Sequence, residues 1–204
     1  MNYGETLAYW YLRLNGFFSL RNFVLHRLQQ DDGRHENADV DLLAIRFPYV
    51  HEKYGDISSE NEPWDDDWDP RLIAALPELK TTITGLIVEV KTGDSVSEPL
   101  ASFKDIRIRS DIERFGFFDD KKTIDDVVNN LKNNGIVHEK GYCVGKLLIS
   151  EKKKTGQRLN LTIGEIDAFI RRRMKTFSDP KFATRHMFPD DVIQYIIWRE
   201  KHES

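Results

Sequence analysis

The chain is predicted to be an α/β protein with a central mixed sheet flanked by helices, and three observations carry that expectation. Tyr3, Leu7, Trp10, Tyr11 and Leu14 recur at helical spacing near the N-terminus. Runs rich in aliphatic and β-branched residues at 38–47, 84–93 and 141–149 have the length and composition of strands. Between the last two lies a further helical segment, with Ile124, Val127, Val128 and Leu131 on one face. In chain order this gives helix, strand, strand, strand, helix, strand.

The first helix spans residues 2 to 14 and stops at Asn15-Gly16. Glu5 lies off its apolar stripe, on a flank shared with Ala8, Tyr9 and Leu12. It reads either as a first-turn acid answering the helix dipole or as a partly buried functional carboxylate. Phe17 to Leu28 is an aromatic-rich strand with Arg21, His26 and Arg27 as polar members. The Asp31-Asp32-Gly33 turn makes a hairpin into strand 38–47. There Asp39, Asp41, Leu43 and Ile45 share one face, and Val40, Leu42 and Ala44 the other. Both faces are apolar beyond Asp41, as in a central strand covered on two sides.

Residues 48 to 80 read as an insertion. It holds Pro48, Pro63, Pro70 and Pro77, and Trp64 and Trp68 flank Asp65-Asp66-Asp67. Such a loop is a lid, a docking point for a protein partner at 56–69, a brake that repels phosphate, or a solvated excursion. After Gly93, residues 103 to 118 form a helix or an irregular segment bearing Lys104, Arg107, Arg109 and Arg114. Thr123 is the expected N-cap of the next helix, and Gly135 closes it. A charged turn at 151–158 leads to Thr162-Ile163-Gly164-Glu165, a capping box opening a helix that runs to about Lys175. Pro189 starts a last helix ending near Glu200. The expected division is a core over 1–150 and a C-terminal helical extension over 151–204 packed on it.

The totals, 40% hydrophobic and 31% charged over 204 residues, fit a globular protein with one sizeable core. No apolar run has membrane-spanning length, and no signal-peptide pattern opens the chain. Cys143 is the single cysteine, which excludes an internal disulfide and a cysteine-rich zinc site. A cytoplasmic protein is expected. The net charge of −4 is unevenly spread: residues 49–70 carry eight acids against Lys53, so the remainder is +3. Residues 151–204 are +4, with Lys152, Lys153, Lys154, Arg171, Arg172 and Arg173 as candidate phosphate contacts. A run of three arginines points around much of a helix, so a solvated face accounts for it equally well.

The strand at 84–93 carries Glu89 and Lys91, two ionisable groups that project from the same face of an otherwise apolar element. Burying the pair is costly unless the charges satisfy each other or a cation joins them. A core-edge ion pair and a catalytic pair both answer that description.

With Glu5 on the helix, Asp41 in the second strand and Glu89-x-Lys91 in the third, residues 1 to 150 resemble the PD-(D/E)xK superfamily. These are the restriction-endonuclease-like nucleases that include Holliday-junction resolvases. The resemblance implies an αβββαβ core and a metal-dependent DNA endonuclease working in DNA processing or defence. By it, Asp41, Glu89 and the Val90 backbone carbonyl hold Mg²⁺ or Mn²⁺, Lys91 is the third member of the motif, and Glu5 matches the first-helix glutamate of many members. Asp39 competes for the aspartate role. The sequence departs from the pattern in having Val40 where a proline commonly stands, and in the forty-seven residues between Asp41 and Glu89.

The chemistry suits these residue types. Phosphodiester hydrolysis needs an activated water and relief of charge on the phosphate, and a hard cation held by carboxylates supplies both. Oxygen ligands without a His/Cys cluster favour Mg²⁺ or Mn²⁺ over zinc. Lys91 would contact the water and the scissile phosphate. Cutting both strands of a duplex commonly calls for a homodimer. The rival expectations are a catalytically inactive nuclease-fold binding module and a protein that engages a basic partner through its acidic loop. The six histidines (26, 35, 51, 138, 186 and 202) show no metal-type spacing, and Cys143 reads as core.

Overall fold

The structure, a computed structural model, describes residues 2–29, 35–50, 68–93, 105–176 and 190–202. Helix α1 (Tyr3–Leu14) begins at Asn2, whose side-chain oxygen accepts the Glu5 N–H at 2.9 Å. It ends at Asn15-Gly16, where Gly16 takes φ +80°. Strands β1 (Phe18–Gln29) and β2 (His35–Arg46) pair antiparallel, and β2 pairs antiparallel with β3 (Ile83–Lys91). Strand β5 (Tyr142–Ser150) lies parallel to β3, and β4 (Ile136–Glu139) lies antiparallel to β5. The product is a mixed, open, six-stranded sheet in the order β1-β2-β3-β5-β4, with β6 (Leu159–Thr162) pairing with β5 in parallel.

Both faces of the sheet are covered, as the apolar runs require. On one face Leu86, Val88 and Val90 of β3 join α1, α2 (Pro70–Ala75), α5 (Ile163–Thr176) and α6 (Asp191–His202) in a single core cluster. On the other, Leu43 and Ile87 meet Ile108 and Ile112 of α3 (Asp105–Phe115) and Val127 and Leu131 of α4 (Lys121–Asn134). Gly85 allows the second layer to approach: a Cβ there would stand 2.9 Å from Phe117. Among the described residues, no helix is long and apolar enough to cross a membrane.

Several local expectations are corrected. The N-cap of α4 is Asp120, not Thr123; its carboxylate accepts the Thr123 N–H at 2.7 Å, so the helix starts a turn earlier. Of the two alternatives for 103–118, residues 105–115 take the helical one; β4 and β6, strands of four residues, are too short for periodicity to reveal. Because β6 joins the sheet, the sheet runs past residue 150 and the C-terminal segment is not purely helical. The capping box is present: Thr162 and Glu165 exchange backbone-to-side-chain bonds of 2.8 and 3.1 Å. The Asp31-Asp32-Gly33 turn, Trp64 with most of the acidic stretch, Lys104 and Pro189 lie outside the described residues.

The return of the insertion is anchored. Trp68 is buried, and Arg46, itself 1% exposed, stacks over its ring at 4.8 Å. The Arg46 guanidinium also donates to the carbonyls of Asn15 and Leu79, tying α1's end to the segment that enters β3. Asp69 is wholly buried. It accepts from the Tyr11 hydroxyl at 3.0 Å and from the Arg71 guanidinium at 3.0 and 2.9 Å, while its amide donates to Asn15. The nearby Asp69 charge and burial both hold the Tyr11 hydroxyl well above its usual pKa, burial contributing most.

Removing Asp69 orphans a buried hydroxyl and a guanidinium together. Asp69→Ala is expected to cost about 3 kcal/mol of stability, and Tyr11→Phe about 1 kcal/mol, read as urea midpoints with unchanged slopes.

Candidate metal centre

The centre forms where β2 and β3 part. Their ladder is paired from Arg46↔Thr84 to Leu42↔Val88, and one step further along, Asp41 stands opposite Glu89. Here a side chain replaces the backbone acceptor: Asp41 Oδ2 accepts the Val90 N–H at 2.7 Å. In an extended strand the N–H and C=O of one residue project to the same side, so the Val90 carbonyl belongs to the same gap. Alternation along β3 puts Glu89 and Lys91 on the face of Ile87, the layer covered by α3 and α4.

Glu89 is only 3% exposed, and its Oε1 forms an ion pair with the Lys91 ammonium, which reaches out towards solvent. Glu5 arrives from the opposite layer. Gly4 makes this approach feasible, because a Cβ there would lie 2.3 Å from Thr92 Cγ2 and 3.2 Å from Val90 Cγ1. The first turn of α1 therefore rests directly on the end of β3. Its carboxylate accepts from Asn2 Nδ2 at 2.7 Å, and Tyr3 fixes the same turn to Glu151 through a 2.8 Å bond.

The electrostatics register the convergence. Burial pushes the Asp41 carboxyl from 3.8 up to about 6; the Val90 amide and Lys91 pull down, Glu89 and Glu5 push up. Asp41 and Glu89 thus flank one ammonium, with the Glu5 charge within electrostatic reach. The donor set fits a hard divalent ion: Asp41, Glu89 and the Val90 carbonyl are all oxygen, with negative charge in excess. Two carboxylates are what Mg²⁺ ordinarily takes from a protein, waters and substrate oxygens completing the octahedron. Among the described residues no group of three His, Cys, Asp or Glu side chains is clustered closely enough to hold an ion by itself. The side chain of the rival Asp39 lies outside the described residues.

The six basic residues expected to meet phosphate are not brought together. Arg173 is wholly buried beside the Phe169 ring, a correction to its expected surface role; the arginine run turns one member inward because it sits on a helix packed in the core. Arg171 pairs with Glu200 at 3.3 Å and with Asp167 at 3.5 Å, Arg172 lies over Phe169, and Lys153 pairs with Glu165 at 2.9 Å. Lys152 and Lys154 follow Ser150, the residue in register with Lys91. Reading the sequence did not single out Lys146, held at 8% exposure on β5, nor Asp111 on α3. The Asp111 carboxyl is wholly buried and pushed up to about 8 by that burial, with Arg107 opposing.

No protein-family model, curated protein or solved structure matches the chain.

Because its charged form is disfavoured in the fold, Asp41 costs stability as pH rises from about 4 through about 6, and the penalty is constant above that. Asp41→Asn, which keeps an acceptor for the Val90 amide, is expected to raise the metal-free melting temperature by a few degrees at about pH 8 and to leave it unchanged below about pH 4. Superimposable melting-temperature profiles over that range would refute the reading that burial at this site disfavours the charged Asp41 carboxylate.

Proposed function

We propose that the chain is a metal-dependent DNA endonuclease built on the restriction-endonuclease-like αβββαβ core. The observation that carries this reading is the meeting of Asp41, Glu89 and Lys91 at the open end of the β2–β3 ladder, with Glu5 within electrostatic reach. The path helix, antiparallel β1-β2-β3, helices, then β5 parallel to β3 supports the same reading of the fold.

The residues divide the work as follows. Asp41, Glu89 and the Val90 carbonyl would hold Mg²⁺ or Mn²⁺, the Val90 N–H keeping the Asp41 carboxylate turned into the gap. When bound there, the ion supplies acidification of water and neutralisation of phosphate charge. Lys91, oriented by Glu89 yet open to solvent, donates to a non-bridging phosphate oxygen and stabilises the charge that grows in the transition state. Water oxygen bonds to phosphorus, the P–O bond to the leaving oxygen breaks, and a proton reaches that oxygen. Glu5 holds the end of β3 electrostatically and restrains Lys91.

The test is a cleavage panel of linear, nicked, branched and single-stranded DNA with Mg²⁺ or Mn²⁺. EDTA, Asp41→Ala and Lys91→Ala are each expected to lower cleavage by at least ~100-fold. Lys91→Ala strands a buried carboxylate, so Lys91→Gln, which can still hydrogen-bond Glu89, separates chemistry from folding. Cleavage retained in folded Asp41→Ala or Lys91→Gln removes the assignment. A folded wild type that binds DNA and never cuts it would instead be a nuclease-fold binding module.

A further inference from the structure

A cavity of about 610 Å³ opens beside β1, lined by Tyr9 and Arg13 of α1, by Val50 and by the unbroken run from Gly16 to Leu20. Successive strand residues point to opposite faces. Ser19 shares the α1 face with its partner Ala44, whereas Phe18 and Leu20, opposite Ile45 and Leu43, share the other. A cavity that touches all three lies along the edge of the strand and not on either face.

That edge is open. Strand β1 stands at the end of the strand order, so alternate residues turn their N–H and C=O groups outward without a partner among the described strands. Its pairing with β2 is regular from Phe18 to Leu25, no proline interrupts it, and Arg21 lies over the Tyr9 ring at 3.3 Å. Proline, a bulge or an outstretched charge commonly guards an exposed edge, and none guards Phe18 to Arg21.

The side chains along the edge say what would pair with it. Phe18 is 68% exposed and Leu20 45%, apolar surface that a further strand would take out of water. On the α1 face, Arg13 is exposed. Its guanidinium lies over the Trp10 ring at 4.9 Å and is paired with no carboxylate among the described residues. Ser19 Oγ is buried without a hydrogen-bond partner. Residues 6–30 contain Arg13, Arg21 and Arg27 and no Asp or Glu. A fitting guest therefore brings backbone hydrogen bonds, apolar side chains on the Phe18 and Leu20 face, and carboxylates on the α1 face. A second copy paired along the same edge would add arginines where acids are wanted, and a nucleic acid offers anions without a peptide ladder. We propose that the β1 edge binds an extended protein segment of alternating apolar and acidic residues by strand addition, with Arg13 as the anchor for one carboxylate. The proposal is independent of the nuclease reading.

The experiment uses the full chain and a fluorescein-labelled pool of eight-residue peptides in which Val or Phe alternates with Glu. A matched pool carries Lys in place of Glu. Wild type is expected to bind the Glu pool at least ~10-fold more tightly in anisotropy, although a net charge of −4 favours the opposite order. Arg13→Gln and Leu20→Glu are each expected to weaken binding of the Glu pool about tenfold. Lys140→Gln, at a lysine paired with Asp120 outside the cavity, is expected to keep the wild-type Kd. Bound peptide is expected to slow amide exchange about tenfold at alternate residues of 18–21. No binding of the Glu pool, equal affinity for the two pools, or an unchanged Kd in both folded variants overturns the proposal. Binding that leaves β1 exchange unchanged assigns the cavity to a single side chain and overturns strand addition. A wild type that sediments as a dimer, with those amides already protected and no peptide taken up, gives the edge to a second copy and overturns it as well.

Discussion

Two carboxylates, Asp41 and Glu89, stand by one ammonium at the end of β3 with Glu5 within electrostatic reach, and that imbalance constrains what surrounds it. An isolated Glu89–Lys91 pair would be neutral and self-sufficient. Asp41 across the strand gap and Glu5 from the first helix add negative charge, and burial, with Glu89 and Glu5 adding to it, holds the Asp41 proton to about pH 6. Repulsion of this kind tends to spread the acids apart. The Val90 amide opposes it, gripping Asp41 Oδ2 at 2.7 Å, and Gly4 opposes it again by letting α1 lie on the end of β3. Perturbed carboxyls held against their own repulsion are a mark of functional sites, because a fold gains nothing in stability from them.

The precision of that arrangement depends on structure some distance away. The ladder must stop at Leu42↔Val88, which requires β2 and β3 to keep their register despite the long connection between them. Arg46 and Asp69 supply the restraint. Arg46, the last residue of β2, clamps the carbonyls of Asn15 and Leu79 and covers Trp68, so the end of α1, the exit of β2 and the approach to β3 are joined at one buried guanidinium. Asp69 adds α2 to the same junction through Tyr11 and Arg71. A slip of one residue in β2 would turn Asp41 to the opposite face and break both the clamp and the centre.

The parts of the fold that were legible in sequence are those with enough repeats of a period to be read. The α1 stripe, the two-sided apolar strand around Asp41 and the Glu89 strand each extend over nine residues or more, and the Thr162–Glu165 capping box carries its own local chemistry. Strands β4 and β6 span four residues and owe their state to β5, a long-range partner that local composition does not name. Of the candidate site, the residue types were visible and their meeting was expected from the family resemblance alone; nothing local indicates that the Val90 amide would hold Asp41. The basic surface was read least well. Sequence runs drew attention to Lys152–Lys154 and Arg171–Arg173, whereas helix geometry buries Arg173 and ion pairs occupy Arg171 and Lys153.

The distribution of charge argues against a purely structural role for the Glu89–Lys91 pair. A structural ion pair is optimised by removing further charges from its surroundings, since each adds desolvation cost without adding a partner. Here two further acids are brought close, from two different elements, by devices that have no other evident use. Glycine at position 4 forgoes helix propensity, and the Val90 N–H forgoes a backbone acceptor in the ladder for the Asp41 carboxylate. Local rules broken together at one point, in a fold otherwise consistent with them, mark a candidate site more sharply than any one of the residues does.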